Sequence, residues 1–148
     1  MKRRRLWLAV ALTAGLAIAV AVAVAMRPDR SPAAVYEAVF VYVAHRNYGR
    51  SIGKGTFYLS IEGRDPSPTL LQRLNTEGLT VRPWSEGVKS HSRGVWIPLS
   101  RLRRTGARTA EVEWSYYHGP MMAAGFRCTV VWRHGKWRVE KEQRLWIS

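Results

Sequence analysis

One cysteine, Cys128, stands alone in 148 residues, so the chain can close no disulfide on itself. Acid is scarce as well: 10 Asp and Glu face 24 Lys and Arg, a formal net charge of +14. With so few carboxylates, a hydrolytic pair is not advertised. No two of the four histidines (His45, His91, His118, His134) have metal-ligand spacing, and no acidic cluster joins them, which removes the usual zinc patterns. Gly-x-Ser-x-Gly is absent. The stretch GRSIGKG (Gly49 to Gly55) has three residues between its first glycines and a glycine after the lysine, so it is not a phosphate loop. Internal repeats and low-complexity segments are lacking too.

What is present begins with a leader. Lys2, Arg3, Arg4 and Arg5 precede Leu6 to Met26, 21 residues without a charge. As a helix that run measures ~32 Å, enough for a bilayer core of ~30 Å. Positive charge stays on the cytoplasmic side, so everything after the run is expected outside the cytoplasm. Trp7 stands where an interfacial aromatic would. Two fates are open. A transmembrane helix over 6–26 would hold the protein in the cell membrane as a single-pass signal anchor. Alternatively 1–26 is a signal peptide, cleaved near Ala21-Val22-Ala23 or Ala23-Val24-Ala25, leaving a periplasmic or secreted domain. No cysteine follows the run, which argues against a lipoprotein. Residues 27–32 form a short linker, and 33–148 an exported domain, a length sufficient for a real core.

Ser31-Pro32 reads as a helix cap and first turn, opening a helix through AAVYEAVFVYVAHRN. Val35, Val39 and Val43 form its apolar face, although its β-branched content also suits a strand buried on both sides. GTFYLSIEG predicts a strand over Thr56 to Glu62. Ser67-Pro68 repeats the cap signal before a short helix with Leu70, Leu71 and Leu74 on one stripe. Leu79 to Trp84 suits an edge strand, where Pro83 is tolerated. EGVKSHSRG is expected as a mobile loop. Alternation then marks four strands: Val95, Ile97, Leu99; Val112, Trp114, Tyr116; Phe126, Cys128, Val130, Trp132; and KWRVEKEQRLWIS. A His134-Gly135 turn sets Trp132 opposite Trp137 and Val130 opposite Val139. The expected fold class is α+β: a helix packed on a curved antiparallel sheet that ends in a β-meander.

Helix then meander resembles the cystatin-like or nuclear-transport-factor-like superfamily, over roughly 33–148. The ending HGKWRVEKEQRLWIS is similar to the last strand of small exported bacterial domains of unknown function. The resemblance implies a helix wrapped by a bent sheet. It also implies binding of partners or small molecules, or in some members isomerase chemistry on a buried Asp or His.

The hairpin loop YYHGPMMAAGF is the best functional lead, because such loops are usually polar. Tyr116, Tyr117, His118, Met121 and Met122 are the candidate ligand- or partner-binding residues. The loop either plugs its own core or offers an adaptable apolar contact. Residues 27–148 carry a net +10, and Arg101, Arg103, Arg104 and Arg108 are the candidate anion-binding cluster. Trp84, Trp96 and Trp146 remain for a cavity or an interface. Cys128 is expected as a small apolar core residue, a reactive thiol being the alternative. Neither a cofactor, a metal nor a nucleic-acid motif is indicated. Three functions follow in order: a non-enzymatic membrane-anchored protein binding an envelope protein or apolar molecule; an isomerase or dehydratase using His118, Tyr116, Tyr117 or Asp65; and a basic binder of anionic polymer or lipid headgroups.

Overall fold

The computed structural model describes residue 29 and residues 31–48, 55–76, 78–90, 94–118 and 122–148. The leader, residues 49–54, His91 and Met121 lie outside the described residues. Among the described residues no helix is long and apolar enough to cross a membrane.

Helix α1 runs Pro32–Val43. The Ser31 hydroxyl accepts from the Ala34 N–H, and proline fills the first turn, where its missing N–H costs nothing. One turn of π-helix, Ala44–Tyr48, continues it. Strand β1 (Thr56–Ile61) leads to α2 (Pro68–Thr76), capped by Ser67 as its sequence implies. β2 (Thr80–Pro83) is a short edge strand. Then come α3 (Trp84–Ser90) and the meander β3 (Val95–Gly106), β4 (Thr109–Tyr117), β5 (Ala123–Arg133) and β6 (Lys136–Ile147).

The fold is α+β, but the sheet is mixed rather than antiparallel. Its order is β2-β1-β3-β4-β5-β6, and β1 lies parallel to both β2 and β3. The cause is the pair of helical crossovers. The chain moves one way from β1 through α2 to β2, then back across β1 through α3 to β3. Crossovers of one hand run in opposite directions place their helices on opposite faces. α2 joins the α1 core, and α3 lies on the other side.

The helix α3 replaces the expected loop over the start of EGVKSHSRG. Asp65, just past β1, accepts from the Ser85 N–H at 3.0 Å and from its hydroxyl at 2.5 Å, so a side chain 20 residues away satisfies the first turn. Gly87 then lets the helix sit on the sheet, for a Cβ there would lie 2.5 Å from a Tyr58 ring carbon and 2.7 Å from Trp96.

The meander follows the alternation. Trp132 pairs with Trp137 and Val130 with Val139 around the His134-Gly135 turn, where both residues have positive φ, as a type I′ turn requires. Under α1 the sheet contributes Leu59, Ile97, Leu99, Val112, Cys128 and Val130, each fully buried. With Val35, Val39, Phe40 and Val43 they make one core. Trp137 closes its end, donating from its indole to the Asp29 carbonyl at 2.7 Å.

Candidate functional site

Consecutive strand residues point to opposite sides, so Tyr58, Ser60, Trp96, Pro98 and Tyr117 share the face away from α1. α3 covers part of this face and leaves a groove beside it. The groove has a volume of about 710 Å³ and is lined by Ser60, Gly63, Trp84, Val88, Trp96, Pro98 and Tyr117. Trp84 meets Trp96 edge to face at 4.7 Å between ring centroids, and Tyr58 stacks on the same indole at 4.7 Å. These contacts fix the tryptophans and leave Val88 at 53% and Tyr117 at 40% exposure. The floor is central sheet: Ser60 is opposite Pro98, and Tyr117 opposite Trp96.

The apolar strip goes on past Tyr117. Trp146 lies 6.4 Å from it, with its indole over Gly125, where any Cβ would strike the ring. A smaller hollow of about 170 Å³ follows, bordered by Ser100, Arg101, Ser115, Gly125 and Trp146. Beyond it the face turns charged. Arg127 pairs with Glu113 at 2.7 Å, Arg103 with Glu111 at 2.7 Å, and Arg101 reaches Glu113 at 3.3 Å. Arg101 sits in a bulge of β3 with φ +53, a backbone state uncommon for a non-glycine residue.

The residues singled out by sequence are spread out. Tyr116 and Tyr117 fall on opposite faces: Tyr116 stacks on Phe126 under the α1 side, and Tyr117 walls the groove. His118 is exposed, and its backbone N–H donates to the Met122 carbonyl at 2.9 Å, closing the hairpin. Met122 is 55% exposed. The four arginines also divide. Arg104 lies over the Trp137 ring at 4.9 Å on the core side, and Arg108 sits in the β3–β4 turn. Asp65 is exposed, and its bonds to Ser85 hold its carboxyl below the usual range. Of the unplaced tryptophans, Trp84 and Trp96 do line a cavity. Ser60, Gly63, Val88 and Pro98 were missed, since their place depends on α3 and on the parallel pairing of β1.

Two other places gather polar or titratable groups. A depression of about 640 Å³ between α1 and the β5–β6 hairpin is bordered by Asp29, Glu37, Tyr42, Trp132, Trp137 and Arg138, and there the Asp29 carbonyl is held by Trp137. On the core side, Cys128 faces Glu142 across the β5–β6 pair. Burial pushes the Cys128 thiol up to about 12 and raises the Glu142 carboxyl above its ordinary range. The Trp114 indole N–H beside them is buried without an acceptor at hydrogen-bonding geometry. A thiol so raised is neutral at physiological pH and a poor nucleophile. Among the described residues no three of His, Cys, Asp and Glu gather to hold a metal.

The class that fold and site define is an α+β domain with an open aromatic groove on its second face. Compared with family models, with curated proteins and with solved structures, the chain matches none.

Proposed function

We propose that this is a non-enzymatic binding domain, held at a membrane by residues 6–26 with the described fold outside the cytoplasm. Its groove beside α3 takes a partner protein or an apolar ligand. The observation that carries the reading is the groove: an exposed valine and tyrosine with two half-buried tryptophans and a half-buried proline around about 710 Å³. Apolar surface left in water forgoes ~25 cal/mol per Å². A contiguous exposed patch of it marks a contact site more often than chance. The basic leader ahead of an uncharged run of membrane-spanning length supports the placement.

The isomerase reading asks His118, Tyr116, Tyr117 or Asp65 to stand at a cavity mouth, and of these Tyr117 walls the groove. Tyr116 and Tyr117 face apart, and Asp65 caps α3. An anionic-polymer reading asks four arginines to act together, and they lie on two faces and in a turn.

The test uses the full chain in lipid nanodiscs, titrated with the neutral apolar dye Nile red. One saturable site is expected, weakened at least ~10-fold by Val88→Arg, since a cation entering an apolar groove loses solvation. Val88 is already half exposed, so the fold tolerates the change. Uptake that, after subtraction of uptake by the same discs without protein, never saturates or ignores Val88→Arg removes the groove reading. Digestion of sealed vesicles with added protease checks the sidedness.

A further inference from the structure

The groove and the smaller hollow follow one another on this face, joined where Trp146 lies 6.4 Å from Tyr117. Trp84, Val88 and Trp96 stand in the first, and Arg101 borders the second. Its floor is made of strands whose backbones are already engaged. β1 pairs with β2 and β3, β3 with β1 and β4, and β4 with β3 and β5. A peptide laid here finds no strand edge to extend, and its own N–H and C=O groups would be desolvated without partners. A hydrocarbon chain has no such groups. It can lie along the aromatic rings and leave nothing unsatisfied.

The far end supplies a cation. Three arginines share two glutamates around this end of the face, an excess of one positive charge. Arg127 takes Glu113 at 2.7 Å, and Arg101 reaches the same carboxylate at 3.3 Å while 77% of its side chain stays exposed. A guanidinium carries five donors in a planar fork suited to a carboxylate, so one long contact leaves it capacity for another. The β3 bulge sets Arg101 next to Ser100, which borders the smaller hollow beside Trp146.

We propose that the groove takes a single-chain amphiphile with an anionic head, of the fatty-acid type. Its hydrocarbon lies along Trp84, Trp96, Tyr117 and Trp146, and its carboxylate ends on Arg101. The inference rests on the binding reading above and adds the chemical class of the ligand, choosing a lipid over a polypeptide.

The test is quenching of tryptophan fluorescence by bromine-labelled dodecanoate, with the full chain in nanodiscs and Val88→Arg as the blank for partition into the disc. Bromododecanol serves as the neutral twin. Saturable quenching is expected for both, with the acid bound roughly tenfold tighter. Arg101→Gln should erase that advantage and leave the alcohol unchanged. Equal affinity for acid and alcohol, or an advantage that survives Arg101→Gln, overturns the inference while the groove reading stands. So does tighter competition by a penta-leucine peptide with a free carboxylate, which would make the ligand a polypeptide end. Absence of saturable quenching by either probe overturns both.

Discussion

Leu59 and Tyr58 are neighbours on β1, and both are almost fully buried, at 0% and 6% exposure. They are buried by different things. Leu59 is in the main core with α1 and α2, whose stripes of Val35, Val39, Val43, Leu70 and Leu74 cover that face. Tyr58 is shielded by one short helix, α3, and by Trp96. The first face is closed along its middle. The second is covered at one edge, open in its centre, and charged at the far side. One sheet thus supplies a closed surface and a partly open one, and side-chain alternation along each strand keeps them separate.

The comparison is sharpest where a truncation is made on each face. Leu59→Ala should cost about 3 kcal/mol in denaturant unfolding, because it removes buried methyl groups and leaves a cavity. Val88→Ala should fall within ~0.5 kcal/mol, as a surface substitution does. Equal losses would mean that the groove is part of the core and not a site.

Gly87→Ala attacks the junction between the faces. The added methyl would lie 2.5 Å from Tyr58 and 2.7 Å from Trp96, so α3 must lift or the rings must turn. Overpacking of this kind costs about 2 kcal/mol, with a matching loss of groove binding. Stability measured with and without Nile red separates the two. Unchanged binding would show that α3 can shift without reshaping the groove.

Much of the first face was legible, because its rules are local. The two Ser-Pro caps, the His-Gly turn and the alternation fixed α1, α2 and the register of Trp132 against Trp137 without long-range knowledge. The second face was less so. Parallel pairing of β1 with β2 and β3 is set by crossovers, and no turn signal announces it. α3 has little apolar periodicity, and it is held by an Asp65 cap far back in the chain and by a glycine that fits against two rings. The splitting of Tyr116 from Tyr117 was available: Tyr116 has the parity of Val112 and Trp114, and Tyr117 does not. Trp84 and Trp96 were flagged by abundance alone, and their meeting required α3.

A smaller effect belongs to the start of the closed face. Ser31→Ala removes the hydroxyl that accepts from the Ala34 N–H and should cost about 1 kcal/mol, read as a lower unfolding midpoint. Ser31→Asp should restore most of it, since a carboxylate accepts the same bond and suits the helix N-terminus. No rescue would mean that the loss came from the hydroxyl's bond to the Asp29 carboxylate, which an aspartate at 31 would repel instead.

The smallest effect tests whether the closed face is dry throughout. Glu142 is half-buried opposite Cys128, and desolvation raises its carboxyl even though Arg46 opposes the shift. A carboxyl raised in the folded state favours folding while it is protonated. That contribution is complete below the unfolded value and is lost as pH rises through the folded one. Glu142→Gln should therefore raise the melting temperature slightly at pH values above the raised one, where the native carboxyl is charged. The gain should vanish at pH values below the ordinary carboxylate range, where both side chains are neutral. A variant less stable than the parent where the carboxyl is charged would mean that the charge of Arg46 outweighs the desolvation. The rim of the core would then be held by an ion pair, as the Arg103–Glu111 and Arg127–Glu113 pairs hold the open face, and the contrast between the two faces would end at Val130.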